Sequence, residues 1–313
     1  MHRLSNTPSK RGRLLVVGAA VLDRLFYVPE LPRPGETAIG ETMEVHPGGK
    51  GANQALAAAL AGAEVRFLSS IGRDEAGELV TAPLRDAGID TTGIHIDPEK
   101  HTAEAICAVS ADGENQITAC PGAYHSFSPE LLCERERWFA WAEILLVQNE
   151  LPRATVETAI ELGIRHDLQI LFNPAPFKKN MPPPARGLFA LIPNAVEAAG
   201  LLGVERYEAL SPGERRRKWD ETGAEHVIVT IGEAGSEWFG PHKTHARFET
   251  PSVEAVDTVG AGDAFCGVLA ALIGEGMEMR DAIPWAHRAA ALAVTKKGAQ
   301  SGLPSRAQLA AYQ

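Results

Sequence analysis

Long apolar runs are missing from this 313-residue chain. No stretch approaches the ~20 apolar residues of a membrane-spanning helix, so no membrane partner is expected. The segment from Met1 to Arg13 is polar and basic and lacks the apolar centre of a secretory signal, so it reads as a disordered leader. Cysteine is scarce. The four present, Cys107, Cys120, Cys133 and Cys266, show no C-x-x-C spacing and no nearby histidine pair, which argues against zinc and thioredoxin-type chemistry. They read as buried free thiols of a reducing, cytoplasmic protein. Surplus positive charge is absent too. With 30 Lys and Arg against 40 Asp and Glu the net charge is -10, which argues against a nucleic-acid partner. Two phosphate-binding fingerprints are missing as well. No G-x-G-x-x-G follows the first strand, Leu14 to Gly18, so a dinucleotide-binding reading is disfavoured. Lys50 is followed by Gly51 where a Walker A loop requires Ser or Thr.

What is present is a repeated alternation of strand and helix patterns. Apolar runs at Leu14–Val17, Val65–Leu68, Ile144–Gln148, Gln169–Phe172, Phe189–Ile192 and His226–Ile231 alternate with helix-forming segments such as Arg153–Arg165. Such alternation predicts right-handed crossovers and an α/β fold, a mostly parallel central sheet flanked by helices. Ligands of such sheets lie beyond the carboxyl ends of the strands. Asp23, Glu150, Asn194, Thr230 and Asp257 all fall at or just after predicted strand ends, so they are expected to share one cleft. Two β-rich insertions, at about residues 24–46 and 102–121, interrupt the alternation; the second has a turn at Ala111-Asp112-Gly113-Glu114. The basic run Arg215-Arg216-Arg217-Lys218 reads as the solvated face of a helix.

Two glycine-rich stretches carry the chemistry. Val256-Asp257-Thr258-Val259-Gly260-Ala261-Gly262-Asp263-Ala264-Phe265 begins extended and ends in an alanine-rich helix predicted from Ala264 to Ile273, with Asp263 as its cap. The first N–H groups of a helix lack internal partners and attract anions, and glycines let an anion come close. Asp263 is then either a plain cap or a base beside a phosphate cradle. Gly48-Gly49-Lys50-Gly51 leads into a helix over Ala52–Ala61 and is either a ligand loop or a glycine turn with a solvated lysine.

Asp257 to Asp263 resembles the C-terminal signature of the ribokinase-like (PfkB) carbohydrate kinases, and Gly48 to Ala55 resembles their N-terminal signature. The similarity runs in family order from about Leu15 to Pro304. It implies one kinase domain over residues 14–313, with the two insertions forming a small β-sheet lid that also makes a homodimer. It implies ATP as donor and a sugar as acceptor. Asp263 would be the general base, and Gly260, Ala261 and Gly262 would stabilise the transferred phosphoryl group. Asp23, Gly49, Lys50, Asn53 and Glu150 would bind the sugar. Asn194, Thr230, Gly232, Gly235, Gly262 and His287 would bind ATP, and Glu197 would act on Mg²⁺ through water. A monovalent cation, K⁺ in this family, would take Asp257, Val259, Ala293, Lys296, Gly298 and Gly302. The implied reaction phosphorylates the primary hydroxyl of a furanose, ribose to ribose 5-phosphate first. Another pentose, a ketohexose, a sugar acid, a nucleoside, or a non-catalytic binding role are the alternatives. Two residues depart from the ribose-phosphorylating pattern: Val21 replaces an asparagine and Gly302 a serine. A valine cannot hydrogen-bond a sugar hydroxyl, and losing such a contact changes specificity by orders of magnitude.

Overall fold

The structure, a computed structural model, describes residues 4–8, 10–112, 114–178 and 186–312. Its main sheet has eight strands, ordered His245–Phe248, Ser236–Phe239, His226–Thr230, Ala190–Leu191, Gln169–Asn173, Ile144–Gln148, Arg13–Val17 and Glu64–Leu68. Neighbours are parallel from Glu64–Leu68 across to His226–Thr230, and the last two strands add antiparallel. The apolar runs are continuous because the sheet is covered on both faces. Leu14 and Val16 join one core with Ala264, Val268 and Ala286, while Leu15 and Val17 join the other with Val156, Ile160 and Trp219. The mostly parallel sheet flanked by helices is as expected.

The insertions build a second sheet of four strands, ordered Thr42–Gly48, Val21–Val28, Ala103–Ser110 and Asn115–Cys120. Val21–Val28 pairs parallel with Ala103–Ser110 and antiparallel with Thr42–Gly48. Asn115–Cys120 is an edge strand, exposed along its whole length. Gly113 of the predicted turn lies outside the described residues.

Several expectations are corrected. The run before Gly260 is irregular, not a strand. The helix Ala261–Gly274 starts earlier than predicted. Asp23 lies inside the strand Val21–Val28 of the second sheet, not at the end of a main-sheet strand. The basic run is a solvated face only at Arg217. Arg215 is buried against Glu237 at 2.9 Å, Arg216 donates to the carbonyls of Gly240 and Thr244, and Lys218 donates to that of Leu202. Of the four cysteines, only Cys266 is buried; Cys107 is half-buried, and Cys120 and Cys133 are exposed. Of the segment expected as a leader, residues 1–3 and 9 lie outside the described residues. Leu4 packs into the core, and Arg306 Nε donates to the Ser5 carbonyl at 2.7 Å. Among the described residues, no helix is long and apolar enough to cross a membrane.

Candidate active site

The helix Ala261–Gly274 begins at Gly260, whose φ of 84° is left-handed. A Cβ on Gly260 would come 2.8 Å from the Ala299 carbonyl oxygen, so only glycine turns the chain here. Gly262 is different: a Cβ there would point into open space. The first-turn N–H groups have no intrahelical acceptor and carry partial positive charge. Because the helix starts earlier than expected, Asp263 is not its cap. It lies in the first turn, only 5% exposed, with a carboxylate held from another helix. Asn53 Nδ2 donates to Oδ2 at 2.9 Å and Gln54 Nε2 to Oδ1 at 2.9 Å. Behind them runs a buried amide chain. Gln148 Nε2 donates to Gln54 Oε1 at 2.7 Å, Gln54 Nε2 also reaches Asn173 Oδ1 at 3.0 Å, and Asn173 Nδ2 donates to the Ile192 carbonyl at 2.8 Å. Gln54, Gln148, Asn173 and Gln300 were not assigned site roles from the sequence. Gln148 and Asn173 did leave a signal, a polar side chain directly after an apolar run at a strand end.

Asn53 and Gln54 belong to the helix Lys50–Leu60, which is capped by Gly49 at φ 87°. A Cβ on Gly49 would lie 2.7 Å from the Ala19 carbonyl oxygen, so the glycine is required by close approach as well as by φ. The helix start receives an anion of its own, Glu150, whose Oε2 accepts from Lys50 N at 2.8 Å. Burial pushes the Glu150 carboxyl up to about 7, opposed by Lys50 and reinforced by Asp263. Burial alone would lower Lys50, but Asp263, Glu150 and Glu197 outweigh it, so its ammonium is held more firmly than usual. Asp23 stands against Gly48, the residue just before the Gly49 cap. Burial raises it to about 6, against the pull of His46, its cross-strand neighbour. A side chain at Gly48 would collide with Asp23 Oδ2, so Gly48 leaves room for that carboxylate.

A cleft of about 1000 Å³ opens beside Gly262, lined by Thr230, Gly232, Gly235, Phe265 and His287 among others. That volume suits a nucleotide-sized ligand. Gly235 has φ 86° and turns the chain so tightly that a Cβ would strike the Phe248 carbonyl. His287 is edge-on to Phe265 with centroids 5.0 Å apart, bonds Ser236 Oγ at 2.7 Å, and is lowered to about 4 by burial, hence neutral. Asn194 bridges to Thr230 at the rim. Asn194 and Glu197 form a capping box: Glu197 Oε2 accepts from Asn194 N and Asn194 Oδ1 from Glu197 N, both at 2.8 Å.

The remaining predicted residues gather beneath the helix start. Asp257 Oδ1 accepts from Val259 N at 3.0 Å and Oδ2 from Gly298 N at 2.8 Å. The N–H groups of Val256 and Asp257 donate to the Val294 carbonyl, next to Ala293. A Cβ on Gly302 would strike the Ala293 carbonyl, so the serine expected there could enter only with a backbone shift. Lys296 is exposed at the edge of this knot.

Phosphoryl transfer asks a protein for position and charge neutralisation and for little covalent chemistry. A buried carboxylate fixed by two amides, beside a helix start that opens on a nucleotide-sized cleft, meets that demand. The class so defined is a kinase that phosphorylates an alcohol. Comparison narrows the class. The chain belongs to the pfkB family of carbohydrate kinases, whose family model matches residues 11–306. It is 35% identical over 297 residues to a ribokinase of Haemophilus influenzae, covering 95% of this chain and 96% of that protein. It is 32% identical to a deoxyribokinase of Salmonella typhi over 302 residues, 96% of this chain and 98% of that one. Among solved structures it is similar to Arabidopsis thaliana ribokinase complexed with ribose and ATP. There the TM-score is 0.89 and the identity 26%, covering 97% of this chain and 100% of that one.

Proposed function

We propose that this carbohydrate kinase transfers the γ-phosphoryl group of ATP to the primary hydroxyl of a furanose, with ribose to ribose 5-phosphate as its reaction. The observation that carries the reading is Asp263, anchored by Asn53 and Gln54 at a helix start whose Gly262 faces open space. Asp263 takes the proton of the attacking hydroxyl, which contributes ~10²–10⁴-fold to rate. The N–H groups from Gly260 through Asp263 receive the developing charge, worth ~10²–10³-fold per donor. Asp23, above its raised pKa of about 6, accepts from ring hydroxyls, and Gly49, Lys50 and Asn53 complete the acceptor floor. Glu150 holds the start of that floor. Asn194, Thr230, Gly232, Gly235 and His287 frame the adenosine side.

Among the described residues no cluster of three or more His, Cys, Asp and Glu could hold a metal, so the side chains fit a Mg²⁺ carried largely by water and phosphate oxygens. Glu197, part of the capping box, would act on it through water. The carboxylate of Asp257 with the backbone carbonyls of Val259, Ala293, Lys296 and Gly298, and with Gly302, would form an oxygen donor set suited to K⁺. Such an ion would supply charge that orders the Gly260–Gly262 turn. We read the second sheet as a lid; its exposed edge strand, with Ile117 at 65% exposure, and Met43 at 54% on the opposite edge strand support a homodimer formed through it. Four unpaired thiols fit a cytoplasmic location.

Val21 favours a second reading, a pentose with one hydroxyl fewer, as does the resemblance to a deoxyribokinase. A coupled ADP-release assay over ribose, 2-deoxyribose, ketohexoses and nucleosides, in K⁺ and in Na⁺, tests both. Ribose with the highest kcat/KM supports the first reading. A higher value for 2-deoxyribose replaces it with the second, and equal rates in both cations remove the cation site.

A further inference from the structure

Four consecutive residues after the last long helix each touch a different part of the site. Lys297 Nζ donates to Glu44 Oε1 at 2.9 Å and lies 4.2 Å over the Tyr27 ring, so it reaches the second sheet. Gly298 N donates to Asp257 Oδ2 at 2.8 Å. Ala299 packs on Gly260, the residue that starts the phosphate-facing helix. Gln300 Nε2 donates to Asn53 Oδ1 at 3.0 Å, and Asn53 in turn donates to Asp263. Glu44 is gripped from two further sides, by the Tyr27 hydroxyl at 3.2 Å and His46 Nε2 at 2.9 Å. His46 stands directly across from Asp23 in the sheet. The path from the acceptor carboxylate to the base therefore runs through one short segment.

We propose that residues 297–300 couple the two substrates, with Lys297 and Gln300 as positioning residues that hold the acceptor sheet and Asp263 in register with the helix start. The proposal rests on the kinase reading above. Among the described residues the second sheet shares no strand pairing with the main sheet, so side-chain ties add to the short chain links in setting how firmly it sits over the acceptor. Lys297 and Glu44 are 49% and 34% exposed, a placement in which an ion pair adds little to folding. It can still bias the sheet between two positions. A sugar that holds the sheet down keeps Glu44 on Lys297, and with it Gly298 on Asp257 and Ala299 on Gly260. By linkage, ATP must then favour the same position of the sheet.

The test starts from wild-type turnover. If no sugar of the panel is phosphorylated, the kinase reading fails before coupling is measured. With the best sugar, calorimetry gives the affinity for a non-hydrolysable ATP analogue in its presence and absence. The sugar should tighten analogue binding by ~5-fold or more. Lys297→Met and Glu44→Gln should each cut that ratio by about threefold, and the double variant should lose no more than either single one. Lys297→Arg should restore most of it. Gln300→Leu should lower kcat while the sugar KM stays within about twofold, because it acts on Asp263 through Asn53. An unchanged ratio in both single variants, additive losses in the double variant, or a wild-type ratio of one overturns the proposal. Glu44→Gln preserves shape on a half-exposed strand, so the measurement stands even if Lys297→Met folds poorly.

Discussion

Asp263→Asn separates proton transfer from packing. An asparagine keeps one acceptor oxygen, and its NH₂ must face one of the two donors that now hold the carboxylate. Facing Gln54 it has no remedy, since Gln54 Nε2 is also bonded to Asn173 Oδ1, and Asn173 is committed to the Ile192 carbonyl. Facing Asn53 it has one. Asn53 can rotate its amide to offer Oδ1, which turns its own NH₂ toward Gln300. Gln300 can rotate as well, because its buried Oε1 has no partner among the described residues. Two amide rotations therefore restore every bond. The thermal midpoint should move by no more than ~2–4 °C, the equivalent of about 1 kcal/mol in a large domain. Without a base, kcat should fall by ~10²–10⁴. Asp263→Ala strands the Asn53 donor in a buried site and should cost a further ~1–3 kcal/mol. The assays are coupled ADP release at saturating sugar and thermal unfolding of the three proteins side by side. If Asp263→Asn keeps more than about a tenth of wild-type kcat, the base is elsewhere. If it loses as much stability as Asp263→Ala, the amide rotations do not occur.

The other predictions concern the Asp23 carboxylate, the glycines and the buried ion pair. Asp23 is raised to about 6, so as pH falls through 6 it gains a proton, loses acceptor capacity, and the sugar KM should climb. Asp23→Asn should flatten that acid limb and raise KM ~10–100-fold at pH 8; an unchanged limb would assign it to another group. Gly260→Ala puts a side chain at φ 84° against Ala299 and should cost ~1–3 kcal/mol in urea titrations. Gly262→Ala should fold normally yet raise the ATP KM ~10-fold, and equal stability losses at the two positions would contradict the distinction. Arg215→Met leaves Glu237, which is fully buried, with Tyr207 and His245 as hydrogen-bond partners and the exposed Arg247 3.8 Å away. A loss of about 3 kcal/mol in urea is expected, and less than about 1 would show that the pair is well solvated.

The alternation of apolar runs was enough to read the fold class, because a strand buried on both faces and a helix behind it leave periodic marks in any order of the chain. The glycine stretches were equally legible, since backbone turns at Gly49 and Gly260 are local facts that only one residue type satisfies. Helix starts were less so. Asp263 reads as a cap, but the cap is Gly260, and no local pattern separates a capping carboxylate from one three positions further in. The basic run at Arg215 misled for a related reason: helical charge looks solvated until a buried Glu237 from a distant strand is placed beside it.

What the sequence determined alone is therefore the set of short-range devices: the strands, the glycine turns, and the chemistry available near each strand end. What only the tertiary structure decided is how Asp263 is held. Asn53 and Asp263 are 210 residues apart, and Gln54 and Asn173 are 119 apart. A hydrogen bond acts over about 3 Å and is indifferent to separation along the chain, so partners this remote become neighbours only when the sheet and its helices pack.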